Sequence, residues 1–287
     1  MKTFPLLRSL LPVVACMALC MVACRKSAPQ AEEKPLLLTS IEPLRFFVEQ
    51  IAGDTYTVKS IVPDGYNPED YKPTPDQLME LGHCEAFFKI GDLGFETTWL
   101  KDAASHYAGL PIVDTSDSLR YRGMKTSLFD PHTWTSPRYM EIICQSICAT
   151  LCRMDTTHAD TYRANLQRCQ ESISRTDREI RSILEKVPSR SFITVHPSLT
   201  YFADTYGLVQ YAIEKEGKEP TPADLSHLIR QSRQEGVKVI LVQKQFSKVQ
   251  AQMIARETGA CIVTVNPLGA DWHREMIGIA KALRDGK

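Results

Sequence analysis

Short apolar runs rich in β-branched residues alternate with longer amphipathic segments along most of the chain. An apolar run of about four to eight residues is typical of a strand buried in a parallel sheet. Eight such runs occur, at residues 36–40, 57–62, 86–90, 111–114, 192–195, 209–213, 237–243 and 261–265. Their alternation with helical segments predicts βα units, and therefore an α/β fold with mainly parallel sheets.

Residues 155–187 interrupt this alternation, because they contain neither glycine nor proline. Apolar residues recur there at helical spacing, at Tyr162, Leu166, Cys169, Ile173, Ile180 and Leu184. The pattern predicts one amphipathic helix about 50 Å long, at about 1.5 Å per residue. This helix would join an N-terminal lobe, residues 36–154, to a C-terminal lobe, residues 188–287.

A short motif occurs once in each predicted lobe. PTPDQLMEL at residues 73–81 is similar to PTPADLSHL at residues 220–228. Each offers a threonine N-cap, a proline at the first helical position and an amide or acid three residues after the threonine. Two similar lobes that face a shared cleft are one interpretation. The other is that Thr-Pro simply begins helices well.

Residues 1–23 have the proportions of a secretory signal peptide. A positively charged start precedes an apolar run over residues 10–23, which is too short to span a membrane. The segment ends in Met-Val-Ala before Cys24, which resembles the lipobox of bacterial lipoproteins. The resemblance implies a lipid anchor on Cys24, a flexible tether over residues 24–35 and a location on the periplasmic or cell-surface side of the membrane. A soluble secreted protein cleaved nearby is the alternative.

Composition narrows the functional classes. The 34 basic residues balance the 34 acidic ones, which argues against a nucleic-acid partner because such a protein needs a basic surplus. Six cysteines follow Cys24: Cys84, Cys144, Cys148, Cys152, Cys169 and Cys261. Three of them recur every four residues, so they share one helix face. Buried free thiols are the favoured interpretation there, a thiolate metal site is the alternative, and the pairing of the six stays open.

Three candidate ligands lie in predicted loops that run from a strand to a helix. His196 directly follows the apolar run 192–195, and ligands bind at the carboxyl ends of parallel strands. His132 precedes a helix that begins near Ser136, and Glu69 lies between a predicted strand and helix. Each residue alone is more typical of an ordinary hydrogen-bonded side chain. Together they form a candidate site, because functional residues concentrate in such loops.

The sequence around these residues resembles the zinc and manganese solute-binding lipoproteins of ABC importers, over essentially the whole mature chain. The segments DGYNPEDYKPTP, DPHTWTSP, HPSLTYFADTYGL and VNPLGADW are similar to the G-x-x-P-H-x-Y-x-P-T-P, D-P-H-x-W, H-x-x-x-x-Y-F-x-x-x-Y-G-L and D-P-L-G segments of that family. The predicted long helix is similar to the rigid rod that joins the two lobes of those proteins. The resemblance implies a metal site in the cleft between the lobes.

Carried over by position, the resemblance implies that His132 and His196 are ligands. The first family ligand, usually histidine, falls on Glu69, and the late acidic ligand falls on Asn266, with Asp271 the nearest aspartate. Two histidines and a carboxylate suit Zn²⁺ and leave a fourth position open. The carboxylate also suits Mn²⁺, which prefers oxygen ligands.

Other charged residues and histidines are weaker candidates. Glu214, Glu216 and Glu219 lie in a charged segment after the run 209–213. This segment is more typical of a solvated loop, with Glu214 as a further candidate ligand. His273 is also a candidate, and the remaining histidines are predicted at the surface: His83, His106, His158 and His227.

The resemblance implies an extracytoplasmic carrier that is not an enzyme. It would bind a divalent metal, zinc or manganese, and deliver it to the membrane permease of an ABC importer, and we expect a monomer. The sequence contains no Walker A, G-x-S-x-G or H-E-x-x-H motif, so the ATPase, serine esterase and gluzincin classes lack their signatures. An exported hydrolase with a Glu/His/His metal site, and a surface adhesin or metal sensor on the same fold, are the alternatives.

Overall fold

The computed structural model describes residues 34–107, 109–120, 130–214 and 218–286. The predicted signal peptide, Cys24 and nearly all of the predicted tether lie outside these residues and stay predictions. None of the described helices is both long enough and apolar enough to cross a lipid bilayer.

Two four-stranded sheets form the frame of the described chain, and every neighbouring pair of strands is parallel. The first sheet has the order β2-β1-β3-β4 and the second the order β6-β5-β7-β8. The strands are β1 (Leu36–Thr39), β2 (Thr57–Ser60), β3 (Ala86–Lys89), β4 (Ile112–Asp114), β5 (Ser191–Thr194), β6 (Val209–Ala212), β7 (Val239–Gln243) and β8 (Cys261–Val265). Each predicted apolar run coincides with one of these strands, and the predicted fold class is confirmed.

Helices connect the strands and cover the sheets. They are α1 (Glu42–Ala52), α2 (Pro75–His83), α3 (Lys101–Ala104), α4 (Asp117–Arg120), α5 (Pro137–Met154), α6 (Ala159–Leu184), α7 (Thr200–Tyr206), α8 (Pro222–Gln234), α9 (Val249–Thr258) and α10 (Trp272–Asp285). A π-helical turn, Glu96–Leu100, leads into α3, and a 3₁₀ turn, Thr133–Thr135, precedes α5.

The repeated Thr-Pro motifs begin equivalent helices, α2 and α8, in the two halves. The Thr74 hydroxyl accepts the N–H of Gln77 at 3.3 Å, and the Gln77 side chain accepts the N–H of Thr74 at 2.9 Å. Thr221 and Asp224 form the same reciprocal pair, at 3.2 and 3.1 Å. Both are capping boxes, which satisfy N–H groups that a helix start leaves unpaired.

The long helix α6 is shorter than predicted. The sequence pattern predicts a helix over residues 155–187, whereas α6 spans Ala159–Leu184, 26 residues, or about 39 Å. At the start, the Asp155 carboxylate accepts the N–H groups of Thr157 and His158, at 3.0 and 3.3 Å. These bonds hold a turn between α5 and α6, because an aspartate that bonds to nearby backbone competes with helix formation. At the other end, Pro188 disfavours helical backbone at the residue before it.

Helix α6 packs against α1 and α5 of the first half and against α10 of the second half. One hydrophobic core therefore includes residues from both halves, among them the fully buried Trp134 and Trp272. The Trp272 indole donates to the Trp134 carbonyl at 2.7 Å, and the Trp134 indole donates to the Pro267 carbonyl at 2.9 Å. Two satisfied indoles in a shared core resist large separation of the halves.

Candidate metal centre

Glu69 is fixed in the loop between β2 and α2. The Asn67 side chain accepts the N–H of Glu69 at 3.2 Å, and the Gly94 N–H donates to the Glu69 carboxylate at 3.0 Å. A Cβ on Gly94 would lie 2.1 Å from the Glu69 carbonyl oxygen, so only glycine allows this close approach. One carboxylate oxygen of Glu69 is thus oriented by the backbone of a different loop.

His132 lies in the turn that leads into α5 and is 7% exposed. One oxygen of the Asp130 carboxylate accepts both the His132 backbone N–H, at 2.9 Å, and the His132 Nδ1–H, at 2.7 Å. The Tyr201 hydroxyl, from α7 in the second half, donates to the Asp130 carbonyl at 2.9 Å. The ring of His132 is therefore oriented by a carboxylate whose own backbone is held across the cleft.

His196 follows β5 closely, as the strand pattern predicts. The side chain of the fully buried Gln243, at the end of β7, accepts the His196 N–H at 3.4 Å and donates to the His196 carbonyl at 2.6 Å. The Glu214 carboxylate accepts the His196 Nδ1–H at 2.9 Å. The Phe246 ring stacks on the imidazole, with centroids 5.3 Å apart and 8° between the planes. Backbone, ring edge and ring face of His196 are all constrained.

These three side chains converge on one point. Ligand atoms of Glu69, His132 and His196 all lie within 4.8 Å of one another, and they form the one such group of three or more candidate ligands among the described residues. The Nε2 atoms of the two histidines are 3.2 Å apart. Two nitrogens bound to one tetrahedral zinc ion, at about 2.0–2.1 Å each, would lie about 3.3–3.4 Å apart.

The hydrogen bonds of the rings decide what the short Nε2–Nε2 distance means. An ionised carboxylate can only accept, so Asp130 and Glu214 require the hydrogen of each neutral imidazole to sit on Nδ1. In two neutral rings both Nε2 atoms then present lone pairs to each other across 3.2 Å, an arrangement that a metal ion or a proton between them stabilises. This carboxylate–histidine arrangement is the one that orients metal-binding histidines and raises their basicity.

The pKa directions agree with a neutral His196 ring and an ionised Asp130 carboxylate. Burial lowers the pKa of His196, and the neighbouring His132 lowers it further, against the opposing effect of Glu214. Burial acts to raise the pKa of Asp130, but its side-chain and backbone hydrogen bonds with His132 act against burial, and the pKa lies below its usual value. A neutral imidazole is the form that coordinates metals.

The site encloses very little space. A cavity of ≈ 10 Å³ lies among the three candidate ligands, about the volume that one water-sized sphere occupies. Besides those ligands, it is lined by Asn67, Pro68, Trp134, Ser198, Gln245, Pro267 and Leu268. A cavity of this volume can hold a single ion.

Asn266, Asp271 and Glu214 are the candidates for a fourth ligand or for a side chain that supports the ligands. Each of them makes a hydrogen bond of its own. Neither Asn266 nor Asp271 lines the cavity, and a fourth-ligand or supporting role for either of them stays a prediction. The Asn266 amide donates to Asp64 at 2.7 Å, and the Asp271 carboxylate caps α10 by accepting the N–H of Arg274 at 3.1 Å. Glu214 touches His196 rather than joining the group of three.

Those of the remaining candidates that the structure describes do not line the cavity either. His273 bonds to Thr176 at 2.7 Å and packs against Phe46 and Phe47. Glu216 lies outside the described residues, and Glu219 is exposed. The histidines predicted at the surface are all exposed: His83, His106, His158 and His227.

The cysteines give no second metal site among the described residues. All six described cysteines carry free thiols; Cys84, Cys144, Cys148 and Cys169 are buried, Cys152 is half-buried and Cys261 is exposed. Burial raises the pKa of the Cys84, Cys148 and Cys169 thiols to about 11. These thiols therefore stay protonated at neutral pH, which is the form that binds metals poorly.

Several residues that orient the ligands have little or no signal in the sequence. Asp130 could have been found from its position two residues before His132, where its side chain can reach the next backbone N–H groups. Gly94 and Gln243 carry no local signal of this kind, because each bonds to a residue that is distant along the chain.

The fold and the site together define a two-lobed α/β binding protein whose site, formed by loops of both halves, has room for one ion. The sequence matches the family model described as "Zinc-uptake complex component A periplasmic" over residues 37–284. The chain therefore belongs to this family, the periplasmic zinc-binding proteins that serve metal ABC importers. The resemblance found in the sequence is confirmed.

Individual relatives agree with this assignment. The chain is 30% identical over 250 residues to a Chlamydia trachomatis protein whose name mentions metal binding without naming the metal, and the match covers 86% of this chain and 89% of that protein. It is 25% identical over 279 residues to the high-affinity zinc uptake system protein ZnuA of Bacillus subtilis, covering 89% and 87%. A crystal structure of ZnuA is 34% identical, with a TM-score of 0.83, covering 88% of this chain and 99% of that one.

Proposed function

We propose that this protein captures a single Zn²⁺ ion with Glu69, His132 and His196 and delivers it to the permease of an ABC importer. The observation that carries the proposal is the pair of histidine Nε2 atoms 3.2 Å apart, each on a ring whose Nδ1 is bonded to a carboxylate. A cation between two neutral rings stabilises that pair, and the Nε2–Nε2 spacing suits a tetrahedral ion.

The chemistry of the donors favours zinc as the cargo. Imidazole nitrogen and carboxylate oxygen are both ordinary zinc ligands. The relative from Bacillus subtilis is named for zinc uptake, which supports the same metal here. Mn²⁺ is the alternative cargo, because Glu69 replaces a nitrogen donor with oxygen.

The size of the cavity favours a carrier over a hydrolase. A metal hydrolase needs room for its substrate and a base beside the metal-bound water. Here the space among the ligands is ≈ 10 Å³, and the carboxylates of Asp130 and Glu214 are each bonded to a ligand histidine. An ion fits this site, and an ester or peptide does not.

The proposed function includes a lipid anchor on Cys24 and two lobes in a monomer. The mature protein would begin at Cys24, carry a lipid there and be tethered to the membrane by residues 24–35. Residues 36–154 and 188–287 would act as lobes of a monomer. Metabolic labelling with a lipid precursor tests the anchor: the wild type should be labelled and Cys24→Ser should not, and equal labelling of both would contradict it.

Calorimetric titration of the metal-free protein with Zn²⁺ tests the cargo site. We expect one ion per chain, and a large loss of affinity in Glu69→Ala, His132→Ala and His196→Ala. His158→Ala is the matched control, since His158 also bonds to an aspartate, at 2.6 Å, but lies at the surface. Unchanged affinity in any two of the three ligand variants would contradict the proposed site.

A further inference from the structure

Gln245 presents a buried oxygen that nothing in the described chain satisfies. Its side-chain Oε1 is buried without a hydrogen-bond partner among the described residues, and Gln245 lines the same cavity as Glu69, His132 and His196. Buried acceptors are nearly always paired, and leaving one unpaired costs free energy. An orphaned oxygen beside converging ligands therefore indicates a partner outside the described residues.

The backbone places Gln245 at the cavity. The Phe246 N–H donates to the Gln243 carbonyl at 2.9 Å, which closes a turn just after β7. On one side of Gln245, the Lys244 N–H donates to the Val265 carbonyl at 2.9 Å. On the other, Phe246 stacks on the His196 ring. Gln245 is thus held between two anchored neighbours at the carboxyl end of the sheet.

The other polar side chains around the cavity already have partners. The Asn67 oxygen accepts the N–H of Glu69 at 3.2 Å, and the Ser198 hydroxyl accepts from the Gln243 amide at 2.9 Å. The side-chain oxygen of Asn266 is also buried and unpaired among the described residues, but Asn266 does not line this cavity. Among the described residues that line the cavity, Gln245 is therefore the one whose buried side-chain oxygen has no hydrogen-bond partner.

We propose that the Gln245 side-chain oxygen faces the cargo ion as a fourth donor and tunes its selectivity. This inference rests on the proposed function, since it needs the ion that Glu69, His132 and His196 would hold. Three protein ligands leave one position open, and a cation attracts the carbonyl end of an amide rather than its NH₂ end. An ion in the cavity would thereby satisfy the orphaned Oε1.

A neutral donor suits the charge of the site. The ion brings two positive charges, while Glu69, Asp130 and Glu214 bring three negative ones, so the sum is already 2 − 3 = −1. A fourth carboxylate would add repulsion among the acids, whereas Gln245 adds an oxygen without charge. Because neutral carbonyl oxygen suits Mn²⁺ while zinc favours imidazole, thiolate and carboxylate, this donor should contribute more to Mn²⁺ binding than to Zn²⁺ binding.

Competition titrations with Zn²⁺ and Mn²⁺ test the inference on the full mature chain. Gln245→Leu should weaken Mn²⁺ binding by about 10-fold or more and Zn²⁺ binding by less. Gln245→Glu keeps an oxygen donor but adds a fourth carboxylate, so it should bind Mn²⁺ more tightly than Gln245→Leu and less tightly than the wild type. Gln252→Leu on α9 is the control, because Gln252 is exposed, and it should change neither affinity.

A spectroscopic measurement separates coordination from structural effects. In the Co²⁺-substituted protein, Gln245→Leu should change the visible absorption bands, which respond to the number and type of donors, while the thermal midpoint of the metal-free protein stays near that of Gln252→Leu. Equal effects on both metals, or an unchanged cobalt spectrum, would overturn the assignment of Gln245. Retained binding in the Glu69, His132 and His196 variants would instead overturn the proposed function, so the two failures are distinguishable.

Discussion

Asp130 offers the sharpest test of how the carboxylates support the ligands. One oxygen of Asp130 accepts both the backbone N–H and the ring Nδ1–H of His132, at 2.9 and 2.7 Å. Asp130→Asn keeps an oxygen that can accept both bonds but removes the negative charge. Asp130→Ala removes the charge and both bonds. The two variants therefore separate the electrostatic role of Asp130 from its orienting role.

The expected magnitudes follow from this difference. Loss of a carboxylate that supports a metal-bound histidine costs about 10–100-fold in affinity, or about 1.4–2.7 kcal/mol. We expect Asp130→Asn near the lower limit, because the ring of His132 stays oriented, and Asp130→Ala near the upper limit. The Tyr201 hydroxyl bonds to the Asp130 backbone carbonyl, so it should hold the loop in both variants.

Competition of the protein with a fluorescent zinc chelator at constant pH measures these affinities. Asp155→Asn is the matched control, since Asp155 also bonds to a histidine ring, that of His158 at 2.6 Å, outside the group of ligands. The control should bind Zn²⁺ like the wild type. Equal zinc affinities of Asp130→Asn and Asp155→Asn would exclude an electrostatic role of Asp130, and an Asp130→Ala variant that binds no more weakly than Asp130→Asn would exclude its orienting role.

Three further predictions concern pH, closure and metal-linked stability. Burial raises the pKa of Glu96 to about 7, against the hydrogen bonds from Ser40 and the backbone that lower it. Between pH 4.5, the ordinary pKa of a glutamate, and about pH 7, the folded state therefore binds more protons than the unfolded state. The metal-free protein should lose up to about 3 kcal/mol of stability as the pH rises through this range. Urea unfolding at several pH values should show this slope in the wild type and not in Glu96→Gln. Lys244 and Asp64 form an exposed ion pair of 2.7 Å between the two halves. Since such pairs contribute at most about 1 kcal/mol, Lys244→Met should speed zinc release by no more than about five-fold in stopped-flow chelation. A larger effect would contradict a minor role of this ion pair in closure. Zinc at about 100 times its Kd should stabilise the fold by about 2.7 kcal/mol, and a chelator should reverse the shift in thermal midpoint; no shift would contradict binding to the folded state.

The strands of both sheets could be predicted because buried parallel strands appear in the sequence as short apolar runs. Both faces of such a strand are covered, so Val239–Gln243 is buried throughout and apolar up to its last residue. The position of His196 follows from the same principle, since the residue comes at the end of a predicted strand. The capping boxes at Thr74 and Thr221 are also predictable, because all their partners lie within three residues.

The parts of the candidate site that the sequence does not predict depend on contacts between distant parts of the chain. The late family segment makes Asn266 a candidate ligand, but no local pattern reveals that its amide bonds to Asp64, 202 residues away. Gln243 supports His196 only because β5 and β7 are neighbours in the sheet. Sequence spacing does not contain that register, so the residues that orient the ligands emerge only from the fold.

The ends of α6 show that the hydrophobic pattern predicts a helix better than it predicts where that helix begins and ends. The apolar stripe predicts the helix correctly, yet Asp155 turns the chain before it by accepting two backbone N–H groups. Helical periodicity reports which face is buried, whereas the first and last turns depend on single side-chain bonds.

Anomalous diffraction at the zinc edge, from crystals of the zinc-loaded protein, locates the bound ion and its ligands in one experiment. We predict one strong peak per chain, about 2.0–2.1 Å from the Nε2 atoms of His132 and His196 and about 2.0–2.2 Å from a carboxylate oxygen of Glu69. A peak bound by other residues, or the absence of any peak between these three side chains, would rule out the proposed metal site.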